Sequence, residues 1–230
     1  MPRRSEGTPR YAPVVTCCDP RGCDAFFGPR FARRLAKRYR ERGLDKTAAR
    51  MVQFLEERGI AGATVLEIGG GIGDIQLELL KRGAAHTVNL ELSASYDEEA
   101  LALLREAGLA GRAERQIRDI AADGDAVDAA DVVVLHRVVC CYPDYERLLS
   151  AVASHARRLV VFSHPPRNAV SRVVLAVQNL GLRLMRREFR TFAHPPPAML
   201  TVLEERGLRP VFAHRGTIWH VEGLERTSPA

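Results

Sequence analysis

The run Glu67-Ile-Gly-Gly-Gly-Ile-Gly73 concentrates the chemistry of this chain: an acid, then glycines at 69, 70, 71 and 73. Glycine tolerates positive φ and lets a ligand lie against bare backbone. The mostly apolar Thr64 to Ile68 precedes the run, and the amphipathic Asp74 to Lys81 follows it. The turn should therefore join a buried strand to a helix whose free N–H groups aim at whatever sits above them. A dinucleotide fingerprint would need its third glycine at the position held by Asp74. A carboxylate at Glu67 also suits a cationic or amino-bearing group better than a pyrophosphate. The plain alternative is a glycine turn that holds no ligand.

Five cysteines form a second group. Cys17, Cys18 and Cys23 lie near the start, and Cys140 and Cys141 are adjacent in the middle of the chain. The number is odd, and the absence of an apolar signal core points to a reducing, cytoplasmic setting, so structural disulfides are not expected. Thiolates bind soft metal ions or soft substrates, but adjacent cysteines are poor partners on one tetrahedral ion and no Cys-x-x-Cys occurs. Packing alone explains such residues as well, and no metal is assigned.

These residues must be positioned by an alternation of strands and helices. After the opening unit, strands are expected at His86–Leu90, ending in Glu91, at about Ala113–Arg118, ending in Asp119, at Asp131–Leu135 and at Arg158–Phe162. Helices are expected at Ser95–Ala107 and from Asp144 to about His155. Repeated strand–helix units give an α/β fold with a parallel sheet and ligands at the strands' carboxyl ends. Two helices come first, Ala25–Arg42 with a stripe of Phe27, Phe31, Leu35 and Tyr39, and Asp45 to about Arg58 with Ala48, Met51, Val52 and Leu55 inward. The order changes after Ser163. A long apolar helix, Ala169–Glu188, reads as a lid or a membrane-surface helix, with the lid preferred because Gln178, Asn179 and Gly181 interrupt its apolar face. A helix at about Ala198–Glu205 and a hairpin of Arg209–Ala213 and Thr217–Val221 close the chain.

The glycine run resembles motif I of the class I S-adenosylmethionine-dependent methyltransferases, and the resemblance extends from Thr64 to the C-terminus. It implies a Rossmann-like sheet of about seven strands, the last antiparallel. The expected organisation is a flexible 1–16, a helical cover over 17–62, and a cofactor-binding domain over 63–230 with a lid or acceptor insert near 164–200. The resemblance implies that Glu67, Gly69, Gly70, Gly71 and Gly73 hold the methionine end of S-adenosylmethionine. Glu91 would take the ribose hydroxyls with Leu92 beside it, and Asp119 the adenine amino group with Ile120 packed on the ring. The segment Leu135-His-Arg-Val-Val-Cys-Cys-Tyr-Pro-Asp144 resembles its counterpart in small-molecule O-methyltransferases. Several of those families place a histidine base where Cys140 stands, and this chain departs from them. It also lacks the Asn/Asp-Pro-Pro-aromatic signature of enzymes that methylate amino groups of bases.

Methyl transfer from a sulfonium needs alignment and, for a protic acceptor, a base. His136, Tyr142 and His164 are the candidate bases, with His136 also a wall of the cofactor pocket. Cys140, Cys141 and Tyr142 are the candidate substrate contacts. A small-molecule acceptor is expected, with oxygen slightly favoured.

Composition sets the outer bounds. The chain has 230 residues, 46 % hydrophobic and 27 % charged, as in ordinary globular proteins, and no apolar run that could span a bilayer. Its net charge of +6 is uneven: residues 1–50 hold 13 Lys+Arg against 5 Asp+Glu, and the remainder 21 against 23. A basic front either meets nucleic acid or another anionic surface, or is the solvated face of a helix. An RNA methyltransferase is therefore the alternative reading, and a nicotinamide oxidoreductase on the same strand–helix plan is a further one. Oligomeric state is not legible.

Overall fold

Glycines, prolines and capping acids punctuate the chain where the hydrophobic periodicity changes. In the computed structural model, which describes residues 27–227, these signals set most element ends. The expectations for residues 1–16, for Cys17, Cys18 and Cys23, and for a helix start at Asp24–Ala25 lie outside the described residues.

Helix α1 (Pro29–Arg42) carries its proline in the first turn and stops at Gly43, whose φ is +68°. Asp45 caps α2 (Lys46–Glu57), accepting from the N–H groups of Thr47 (2.8 Å) and Ala48 (3.1 Å). The expected inward set of α2 is buried. The expected stripe is borne out in part: Tyr39 is buried with Ala32 and Ala36, which the stripe did not include, while Phe31, Leu35 and the preceding Phe27 face a cavity.

Then follow β1 (Thr64–Ile68), α3 (Asp74–Lys81), β2 (His86–Glu91), α4 (Asp97–Glu106), β3 (Ala113–Ile117), the short α5 (Ile120–Asp123) and β4 (Ala130–Leu135). After these come α6 (Tyr145–His155), β5 (Ala156–His164), α7 (Ala169–Leu184), α8 (Pro196–Glu204), β6 (Leu208–Arg215) and β7 (His220–Arg226). The strands form one seven-stranded sheet in the order β3-β2-β1-β4-β5-β7-β6. The first five are parallel, and β7 runs antiparallel to both its neighbours. This is the expected Rossmann-like sheet with its last strand reversed.

Both faces of the sheet are covered, as its apolar central strands require. Along β4, Val133 and Leu135 join the core beneath α6 and α8, while Val132 and Val134 join the one beneath α2 and α3. The strand order reverses between β1 and β4, which opens a crevice at their carboxyl ends.

Boundaries shift by a few residues in several elements, most plainly in the hairpin and the long helix. The second hairpin strand starts at His220, not Thr217, because Gly216–Trp219 makes the turn. Its alternation is hidden by a buried acid, Glu222, and by Gly223, where a Cβ would strike the Phe54 ring. Helix α7 ends at Leu184, four residues before the expected Glu188; Arg186, with φ +54°, cannot continue it.

Candidate active site

The crevice contains a cavity of about 250 Å³. One side of it comes from the glycine turn. Gly69 and Gly71 have positive φ (+62° and +55°) and line the cavity with Gly70 and Ile72. Gly73 (φ +71°) turns away to cap α3. Glu67 also lies off the cavity wall. It sits under the turn, fully buried, where its carboxyl accepts from the Gln76 N–H (3.3 Å) and the Asn89 amide (3.4 Å). Burial, with Asp74 nearby, pushes its pKa well above the carboxylate range. A Cβ at Gly70 would collide with this carboxyl and the Asn89 amide, so the acid and the glycine pack as a unit.

Glu91 does line the cavity. Its Oε2 accepts from the Gly71 N–H (2.8 Å) and its Oε1 from those of Leu92 (2.8 Å) and Ser93 (3.4 Å). Burial raises its pKa, against the pull of the Leu92 and Gly71 N–H groups. Leu92 is on the wall beside it. Farther along the same edge, Asp119 caps α5 through the Ala121 N–H (2.9 Å) and presents Oδ2 to the Tyr142 hydroxyl (2.9 Å). Ile120 is buried and reaches the cavity next to it.

The opposite side comes from the end of β4. His136 lines the cavity with Nδ1 3.0 Å from the Ser163 hydroxyl and Nε2 3.4 Å from Asp45 Oδ2. Arg137 follows in the left-handed region (φ +61°), a strained backbone for an arginine. Its N–H donates to Ser163 (2.9 Å), and its guanidinium donates to Asp45 (2.8 Å) and lies 5.1 Å from the Trp219 ring centroid. Asp45 thus uses one oxygen to cap α2 and the other to gather His136 and Arg137. Burial opposes its ionisation, but His136, the Ala48 N–H and Arg137 together hold its pKa below the ordinary carboxylate value.

The structure brings Tyr142 and Cys141 to the cavity, and buries Cys140 next to Cys141 with the sulfurs 3.6 Å apart. Cys141 lowers the Cys140 pKa by hydrogen bonding, against burial. Among the described residues no group of three or more His, Cys, Asp or Glu is arranged to hold a metal ion. The Tyr142 phenol is committed to Asp119. His164 is not on the wall; it is buried between the Pro165 carbonyl (2.9 Å) and Glu222 (3.3 Å).

Sequence reasoning misses several wall residues. Asp74 lines the cavity, half-buried, and desolvation raises its pKa while His136 lowers it. In the sequence its position marks only a missing glycine. Asp45 reads there only as the start of a helix. Phe27 and Phe189 close the cavity edge to face, 5.2 Å apart, from opposite ends of the chain, and no local pattern joins them.

No curated protein matches the chain. Among solved structures, it is similar to magnesium protoporphyrin IX methyltransferase of Synechocystis with bound S-adenosylhomocysteine. The identity is 18 % and the TM-score 0.65, covering 79 % of this chain and 83 % of that one. An O-methyltransferase family protein of Burkholderia thailandensis is similar at 18 % identity and TM-score 0.67, over 87 % of this chain and 61 % of that one. A putative sarcosine dimethylglycine methyltransferase of Galdieria sulphuraria is similar at 13 % identity and TM-score 0.63, over 81 % and 87 %. These likenesses share the fold. A family model described as a methyltransferase domain matches residues 36–216, from within α1 to the first residue of the hairpin turn. With that match spanning most of the chain and every cavity-lining residue except Phe27, Phe31 and Leu35, the protein belongs to the methyltransferase domain family.

Proposed function

We propose that this methyltransferase carries the methyl group of S-adenosylmethionine to a small-molecule acceptor, with an oxygen atom as the favoured acceptor. One observation carries the reading. Asp119, Glu91, the Gly69–Gly71 turn and His136 line one cavity in the order β3-β2-β1-β4. That order suits a ligand with an amino-bearing base, a cis-diol and an amino acid tail. Asp119 with Ile120 would hold the adenine, and Glu91 the ribose hydroxyls, since a carboxylate offers only acceptors. Asp74, whose carboxyl lines the cavity at the turn, would face the amino group, while Glu67 braces the turn from behind.

The cofactor is S-adenosylmethionine, which supplies an electrophilic methyl group when bound. The chain's own residues align it and exclude water. Of the expected bases, we take His136 as the group that meets the acceptor's proton, because it stands on the wall with Asp45 to stabilise a cationic ring. Within the expected 17–62 cover we assign its described part, residues 27–62, that role, and 164–200 the role of acceptor-side insert. The reading also places Cys141 and Tyr142 next to the acceptor.

Isothermal titration with S-adenosylhomocysteine tests the cofactor assignment, and no heat of binding would sink it. Incubation with tritiated S-adenosylmethionine and panels of phenols, carboxylic acids and transfer RNA then tests the acceptor. Label in the RNA alone would replace the small-molecule reading with the nucleic-acid one.

A further inference from the structure

Helix α7 presents its apolar side outward. Val170, Val173, Val174, Val177, Leu180 and Leu184 recur at helical spacing and are each 56–76 % exposed. Met185 continues the stripe. The other face holds the helix to the protein: Leu182 is buried, and Asn179 exchanges hydrogen bonds with Thr191 at 2.8–3.2 Å. The helix is therefore anchored with its apolar stripe facing solvent, and a continuous apolar surface of this kind marks a docking site.

The charges around the stripe choose the occupant. Between Pro165 and Arg190 there are six arginines, at 167, 172, 183, 186, 187 and 190, and one acid, Glu188. Arg172 and Arg183, about three turns apart, fall on the same border of the stripe. An open groove beside the helix is lined by Arg167, Arg172, Val173 and Phe192, a cationic head with an apolar floor. A second copy of the chain would set arginine against arginine across a two-fold contact. An anionic bilayer surface meets both features, taking the stripe into its acyl boundary and the guanidinium groups onto its phosphates.

We propose that α7 docks this protein on the surface of an anionic membrane, lying in the interface and not crossing it. The helix leaves from the carboxyl end of β5, at the sheet edge where the cavity lies. The chain then returns through Phe189, which is buried against Phe27 in the cavity wall. The docked face and the cavity therefore share one end of the molecule. This inference goes beyond methyl transfer, and its test reads lipid binding without any turnover.

Full-length protein is pelleted with vesicles of equal parts phosphatidylglycerol and phosphatidylcholine, and separately with pure phosphatidylcholine vesicles. It is expected to sediment with the first and stay in solution with the second. Val177→Asp combined with Leu180→Asp should abolish sedimentation while leaving circular dichroism and thermal melting unchanged, because both side chains are exposed. Arg172→Ala and Arg183→Ala should each weaken binding about five-fold. Absence of sedimentation with the vesicles that contain phosphatidylglycerol overturns the proposal. So does sedimentation that the double aspartate variant retains, which would be adhesion by charge alone. A dimer in sedimentation velocity that the same variant dissolves would assign the stripe to a second copy instead.

Discussion

The two sides of the cavity are built on different principles. The side formed at the ends of β1, β2 and β3 is made of backbone and acids that lie within three residues of a strand end: Gly69–Gly71, Glu91 and Asp119. Local backbone holds the acids: Glu91 accepts from the N–H groups of Leu92, Ser93 and the adjacent turn at Gly71, and Asp119 from that of Ala121. The side at the ends of β4 and β5 is assembled from remote pieces. Asp45 reaches His136 and Arg137 from the start of α2, Ser163 joins them from β5, and Phe189 meets Phe27. A site for an invariant ligand can be written in short motifs. A site for a variable one can be composed of whatever the fold brings near.

If that contrast holds, damage to the first side should weaken the cofactor far more than damage to the acceptor-facing part of the second. Glu91→Ala removes a ribose acceptor and leaves the Gly71 N–H without its partner. It should weaken S-adenosylhomocysteine about 100-fold, equivalent to about 2.7 kcal/mol, in isothermal titration. A change of less than about three-fold would mean that the turn alone carries affinity. The same acid sets a pH dependence: because burial raises its pKa, it protonates at a higher pH than a free glutamate, and affinity should fall as pH drops through that raised value.

Gly70→Ala forces a methyl group onto Glu67 and Asn89. It should cost about 2 kcal/mol of stability in denaturant unfolding and weaken the cofactor in parallel. An unchanged midpoint would show that the turn yields easily and that Glu67 does not brace it.

Glu78 tests the junction between the front helices and the sheet domain. Burial pushes its carboxyl up, but hydrogen bonds from Tyr39, Arg82 and Lys81 outweigh this and hold its pKa down to about 2. The sign follows from the lowered value. The stability it contributes is complete above the ordinary value of 4.5 and is lost as pH falls towards 2. Glu78→Gln should therefore flatten the acid side of the stability curve by about 1 kcal/mol, since water screens part of the effect. A curve as steep as that of the unaltered protein would assign the acid sensitivity elsewhere.

The smallest effect on affinity is expected at Cys141. Cys141→Ser should leave S-adenosylhomocysteine binding within about two-fold while altering the rate or choice of acceptor. A large loss of cofactor would erase the distinction between the two sides.

The same contrast explains which parts of the molecule are legible in the amino-acid sequence. The sheet, the two front helices and the acids at 91 and 119 are legible because each is announced by periodicity, a cap or a strand end. Once the family is established, the dinucleotide reading falls with the missing third glycine. In its described part, the basic front is largely the exposed face of α1, and Arg40 pairs with Glu106. The hairpin's second strand is misplaced by its sequence pattern because a buried Glu222, paired with Arg215 and His164, looks like surface in one dimension. Asp45 and Asp74 escape notice for a related reason: each has a sufficient local explanation, and its second partner comes from a distant strand. His164 is the converse case, a histidine at a promising strand end that the fold spends on its own core.

Asp45 has one further consequence. The oxygen that caps α2 and the oxygen that faces His136 and Arg137 belong to the same carboxylate, so the front helices and the cavity wall share a single charge. Thermodynamic reciprocity then applies: whatever a ligand does to the order of the helices, the order of the helices does to the ligand, by an equal free energy. Saturating cofactor should protect the amides at the start of α2 from hydrogen exchange, and Asp45→Ala should uncouple that protection from occupancy of the cavity.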